Sequence, residues 1–307
     1  MDEDRQQWDI VSGVGATALA VASARALESA RTDALIHDPY APAFLEAAHS
    51  AMPLPASPEE LGGHAAGASG ATGMAGAAGE AMRDLVSEYL GVRSRVFDDF
   101  LGEAAARGGV RQFVILASGL DTRPFRLPWP PGVRCFELDQ PLVLDFKLRV
   151  LREENAEPRC AHTPVPVDLR DDWAGALEAA GFDTSVPTAW LAEGLLPYLS
   201  PEDEERLFKE IDRLSPTGSR IAVEHGTDIG KVTADDPRMH ALSRELDIDL
   251  ASLLPEGHKR SPEEQLTALG WRHETRTAHE SAARFDRDLS SAPALTDRIR
   301  HTFAHRP

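Results

Sequence analysis

Cysteine is almost missing from this chain: Cys135 and Cys160 are the only two in 307 residues. Neither a disulfide framework nor a four-cysteine zinc site can be built from them within one chain. Positive charge is also in deficit. Thirty-two Lys and Arg stand against 50 Asp and Glu, a formal net charge of −18, so a basic surface tracking nucleic-acid phosphates is not expected. No apolar run reaches the roughly 18 residues that a membrane span needs, and the acidic start MDEDRQQW is the reverse of a secretory leader. The expected setting is the cytoplasm, with neither nucleic acid nor membrane as partner. No H-E-x-x-H signature occurs, and no metal site is expected.

What is present is enough apolar material, 42% of residues, to bury a full core. An Ala-rich helix is expected from Val14 to Ser29, broken by Asp38-Pro39-Tyr40-Ala41-Pro42, with a second helix starting near Ala43. From Gly62 to Gly79 every position but His64, Ser69, Thr72 and Met74 is Gly or Ala. Such a segment buries little side-chain area and reads either as a linker or as a lid over a ligand site. Leu85, Tyr89, Val92, Val96 and Phe100 then recur at helical spacing. Arg93 and Arg95 sit within that helix, either solvated or, if turned inward, in need of an anion.

The rest of the chain alternates short apolar runs with helix signals. Strands are expected over 111–117, 133–139, 162–169, 188–194 and 218–224, with helices at 142–151, 174–180 and 200–214. Ser200-Pro201-Glu202-Asp203-Glu204 is a strong helix start. This rhythm implies an α/β fold with a doubly wound, mostly parallel sheet. Ligands bind such sheets at the carboxyl ends of the strands. Gly119, Asp139, Asp168, Glu193 and His225 stand at successive expected ends, a series of polar groups on otherwise apolar strands that points to a site. Twenty residues separate Gly119 from Asp139, the spacing at which an acid meets a ribose hydroxyl. The first turn holds one glycine rather than G-x-G-x-x-G, and no P-loop is present. A pyrophosphate is thus poorly served, and a nucleoside without phosphate fits better: an acid for ribose, apolar walls for adenine, an Arg for a carboxylate.

The runs FVILASGLDTRPFRLPWPPGVRCFELDQPLVLDFK, PVDLRDDW, TAWLAEGLLPYLSPEDEERLF and GSRIAVEHG resemble the leucine carboxyl methyltransferase-like family of class I S-adenosylmethionine-dependent methyltransferases, in its actinobacterial small-molecule branch. The resemblance spans about residues 14–275 and includes the A-S-G-L-D-T-R turn of Ala117 to Arg123. It implies a Rossmann-like fold with S-adenosylmethionine as cofactor. It further implies that Arg93 holds the methionyl carboxylate and Gly119 lies against the methionyl group. Asp139, with Glu137, would bind the ribose; Asp168 and Leu169 would contact adenine, and Glu193 would face the amino group. Arg25 is the counterpart of an N-terminal basic residue of the family.

Three regions follow from this reading: a helical cap over 1–107 carrying the 62–79 segment, a cofactor-binding core over 108–277 with an inserted lid at 227–260, and a tail over 278–307 without a terminal strand. In the insertion, Met239, Leu242, Leu246, Ile248 and Leu250 suggest an amphipathic helix, as core or as lid. The expected reaction is in-line methyl transfer to a carboxylate or hydroxyl of a small molecule, a natural product, with His225 and Tyr198 on the acceptor side. A carboxylate needs no general base, whereas a phenol benefits from one. The alternatives are an NAD(P)-dependent oxidoreductase on a similar sheet, a non-catalytic S-adenosylmethionine-binding protein, and methylation of a protein carboxyl group.

Overall fold

A computed structural model describes residues 10, 13–49, 54–60, 89–227, 229, 235, 243, 249, 252–255, 257–289 and 296–307. Segment 62–79, Leu85, and the five apolar residues singled out in 227–260 lie outside these. In chain order the described elements are α1 (Gly13–Ser29), α2 (Ala41–Ala48), α3 (Gly91–Ala106), β1 (Gln112–Leu116), α4 (Arg123–Arg126), β2 (Arg134–Asp139) and α5 (Pro141–Glu153). They continue with β3 (Ala161–Pro166), α6 (Trp173–Ala179), β4 (Thr188–Ala192), α7 (Pro201–Arg213), β5 (Arg220–Gly226), α8 (Pro262–Ala268), β6 (Arg272–Thr277), α9 (Ala278–Ala283) and β7 (Ile299–His305). No helix among the described residues is long and apolar enough to cross a membrane.

Seven strands form one sheet in the order β3-β2-β1-β4-β5-β7-β6. The first five pair in parallel, and β7 runs antiparallel between β5 and β6. Central strands are apolar on both faces because both are covered. Phe113 and Ile115 of β1 pack with α1, α2, α3 and α5, while Val114 and Leu116 pack with α6, α7 and Trp190 on the other face. The prolines of β3 are tolerated because it is an edge strand. Helix starts follow the expected chemistry: Ser200 caps α7, and Ser261 and Thr277 form capping boxes with Glu264 and Glu280. The strand order reverses at β1, so the connections that leave β1 and β4 part and open a crevice at the carboxyl ends of these strands.

Two expectations are corrected here. The tail is not strandless: Ile299–His305 enters the sheet as β7, with β5 on one side and β6 on the other. Its polar residues hid it: His301 and Thr302 are fully buried, their polar atoms satisfied by hydrogen bonds to Ser281 and Glu263. Strand β5 also runs further than expected, to Gly226, so His225 lies inside it rather than beyond it.

Candidate active site

A cavity of about 240 Å³ occupies the crevice, walled by the turn after β1, the ends of β2 and β4, the loop after β3, and parts of α1 and α3. The turn after β1 brings backbone close to the site. Ala117 and Gly119 both adopt left-handed conformations, φ 48° and 47°, which costs a non-glycine residue like Ala117 about 1–2 kcal/mol. Gly119 N donates to Asp139 Oδ2 at 2.6 Å and Gln140 N to Asp139 Oδ1 at 2.7 Å. Burial pushes the Asp139 carboxyl up to about 6, against the pull of these two donors. The hydroxyls of Ser118 and Thr122 also line the cavity, buried and without a partner among the described residues.

A network of buried charges forms one wall. Arg93 Nε lies 2.7 Å from Glu193 Oε1 and 3.3 Å from Glu224 Oε2. Its two terminal nitrogens have no partner among the described residues. Burial opposes its charge, but Glu224 and Glu193 more than offset this and hold its pKa above the usual arginine value. The second oxygen of Glu193 accepts from Arg123 Nη1 at 2.6 Å. Arg123 in turn binds Asp98 at 2.7 Å and Asp121 at 2.5 Å, which despite burial holds Asp121 at about 2. Glu224 accepts from Gly194 N at 2.7 Å and from the Tyr89 hydroxyl.

Arg93, Gly119, Asp139, Asp168, Leu169, Glu193, Arg25 and Tyr198 thus come together around one cavity. Asp168 is braced by Arg170 at 2.6 Å and Gln140 at 3.1 Å. Arg25 joins Asp38 at 2.8 Å and the Leu120 carbonyl at 2.6 Å, fastening α1 to the turn. Burial raises the Tyr198 phenol above its usual pKa. Two expected residues are not brought there. Glu137 is fully buried, with one oxygen 2.6 Å from Lys147 Nζ and the other 2.6 Å from His162 Nε2. His225 is turned away by strand alternation: Glu224 faces Arg93, whereas His225 Nε2 meets Thr302 Oγ1 at 2.9 Å and Glu263 at 3.2 Å on the other face. Burial would raise the Glu263 carboxyl, but His225 outweighs it and holds it well below the usual range. Arg123 and Glu224 were not singled out from the sequence. Glu224 obeys the same rule as Asp139 and Glu193, an acid at a strand end, and could have been read so.

A family model described as leucine carboxyl methyltransferase matches residues 18–212. The chain belongs to the leucine carboxyl methyltransferase family. Among its relatives, one from Saccharopolyspora erythraea, named as an S-adenosyl-L-methionine-dependent methyltransferase, is 48% identical over 285 residues, 93% of this chain and 92% of the relative. Another of that name from Rhodococcus jostii is 44% identical over 298 residues, covering 95% and 94%. A solved DUF574 family protein from Streptomyces avermitilis shares the fold at TM-score 0.51 and 17% identity, over 80% of this chain and 96% of that one. In this methyltransferase, the matched span takes in every cavity-lining residue except Val14, Gly15 and Thr17 of α1. The match therefore takes in nearly all of the cavity wall and strands β1 to β4, and the oxidoreductase alternative gives way to methyl transfer.

Proposed function

We propose that this methyltransferase transfers the methyl group of S-adenosylmethionine to an oxygen of a small molecule, a natural-product carboxylate in preference to a hydroxyl. The observation that carries the reading is Arg93, a guanidinium anchored through Nε by two carboxylates while its terminal nitrogens are left for a further anion. That arrangement suits the carboxylate of an amino-acid end group, with Glu193 beside it for the ammonium. Asp139 suits vicinal ribose hydroxyls: each of its oxygens takes one backbone N–H, and a carboxylate has about four acceptor positions in all. Gly119 then borders the methionyl chain, Asp168 and Leu169 the adenine, and Arg25 holds α1 against the site. The unpartnered hydroxyls of Ser118 and Thr122 are groups that a bound ligand satisfies. Glu137, committed to Lys147 and His162, has no part in this assignment.

When bound, S-adenosylmethionine would supply a methyl group in line to an acceptor oxygen, with the neutral thioether S-adenosylhomocysteine as leaving group. The chain's own contribution is alignment and exclusion of water. Ala18 and Val21 of α1, with Leu195 and Leu199 after β4, give the cavity an apolar wall. Tyr198, its phenol pushed up by burial, is suited to donate a hydrogen bond to an acceptor and not to remove a proton. His225 faces Thr302 and Glu263, so a base role there has no geometric support. A carboxylate, anionic at neutral pH, needs no base, and the family's description favours a carboxyl acceptor. That description also motivates a second reading, a polypeptide carboxyl group.

The test is to incubate the protein with methyl-labelled S-adenosylmethionine and panels of carboxylic acids, phenols and peptides, and to follow label by mass spectrometry. The expected product is a methyl ester of a small acid that releases methanol in mild alkali. An alkali-stable ether would contradict the carboxylate assignment, and label found only on peptides would favour the second reading.

A further inference from the structure

A second groove, of about 310 Å³, shares no lining residue with the cavity. It lies where β5 and β6 begin and β7 ends, on the sheet face covered by α3. The strand registers align Arg220 of β5, His305 of β7 and Arg272 of β6 in one row across the sheet, and all three line the groove. Arg220 and Arg272 flank His305 in that row, two strand spacings of about 4.8 Å apart. Arg284 of the segment closing α9 adds a further guanidinium.

Three acids line the same groove, but each already has an arginine of its own: Asp99 pairs with Arg95 at 2.8 Å, Glu103 with Arg107 at 3.9 Å, and Glu274 with Arg276. Arg220, Arg272 and Arg284 have no carboxylate among the described residues. In a chain of net charge −18, with acids in excess of bases, three uncompensated guanidinium groups in one concavity are against the trend. Phe100 and Phe303 add aromatic surface to the lining, their rings 5.9 Å apart, with the Arg276 guanidinium 5.1 Å from the Phe303 centroid. Guanidinium groups pair readily with carboxylates and phosphates, and aromatic surface favours an apolar body beneath the charged head.

We infer that this groove is a second binding site, separate from the methyl-transfer cavity, for a small organic oxyanion with an apolar body. The inference does not rest on the proposed methyl acceptor. The test is calorimetric titration of the full chain at low salt with phenyl phosphate, benzoate and inorganic phosphate, on the wild type and on the double variant Arg220→Gln, Arg272→Gln. One saturable site for phenyl phosphate or benzoate is expected, tighter than for inorganic phosphate. The double variant should lose about tenfold or more in affinity, the effect of a lost charge-assisted hydrogen bond, while S-adenosylhomocysteine binding is unchanged. Phenyl phosphate against benzoate tells the phosphate ester from the carboxylate. No saturation by either aromatic probe, equal affinity in the double variant, or equal binding of inorganic phosphate would overturn the inference.

Discussion

The surroundings favour the charge of Arg93 and oppose that of Asp139, and each effect is open to test. Arg93→Lys keeps a cation near Glu193 and Glu224 but removes the planar fork; affinity for S-adenosylhomocysteine should fall by about 1.5–3 kcal/mol, the range for a charged hydrogen bond. Unchanged affinity in calorimetry would remove Arg93 from the cofactor site. Asp139 titrates near 6 rather than the usual 3.8. A carboxyl raised in the folded state adds stability that is complete below the unfolded pKa and disappears as pH rises through the folded one. This group therefore makes the free protein less stable between about pH 4 and 6, while over the same window its ionised form becomes available to ribose hydroxyls. Binding of S-adenosylhomocysteine should strengthen as pH rises through 6 and lose that inflection in Asp139→Asn; a binding curve flat across this range in the wild type contradicts the assignment. Lys147→Met leaves Glu137 buried beside His162 alone, and denaturant unfolding should report a loss of about 3–5 kcal/mol with cofactor affinity kept. A large drop in affinity instead would return Glu137 to the site. Strand-end acids such as Asp139 and Glu193 were legible because position on a strand end is a local property. Arg123 was not, because what defines it is pairing with Asp98 and Glu193, residues 25 and 70 positions away.

Strands β1, β2 and β4 were legible as apolar runs because both their faces are buried, and α7 because Ser-Pro-Glu marks its start. Strand β7 was not. In IRHTFAH, the interior positions His301 and Thr302 are polar and are satisfied across elements by Tyr89, Ser281, Thr275 and Glu263, partners that no local pattern displays. Burial lowers the His301 imidazole to about 3, so at neutral pH it sits in the core uncharged. His225 was misplaced for a related reason: two further residues of strand turn a side chain from loop to core, and alternation then sends it to the face opposite Glu224. Because β7 is the neighbour of both β5 and β6, truncation after Arg298 removes two ladders at once and leaves β6 without a paired strand. Such a chain should lack a cooperative thermal transition by circular dichroism. A sharp two-state melt near that of the full chain would mean that β7 is dispensable.

Across the whole molecule, charge and topology divide the labour. The sheet reverses its order at β1 and opens the crevice that holds the proposed cofactor site, while the opposite end of β5, β6 and β7 gathers the arginines of the second groove. The single-glycine turn after β1 leaves little provision for a pyrophosphate, and in the proposed assignment Arg93, Asp139 and Glu193 serve instead an amino-acid end group and a ribose. That contrast gives the most direct measurement of the central claim: isothermal titration of the purified protein with S-adenosylhomocysteine, beside NADH and NADPH. The account predicts saturable one-site binding of S-adenosylhomocysteine and no heat from either nicotinamide. A folded protein that binds a nicotinamide nucleotide, or that leaves S-adenosylhomocysteine unbound, would contradict it.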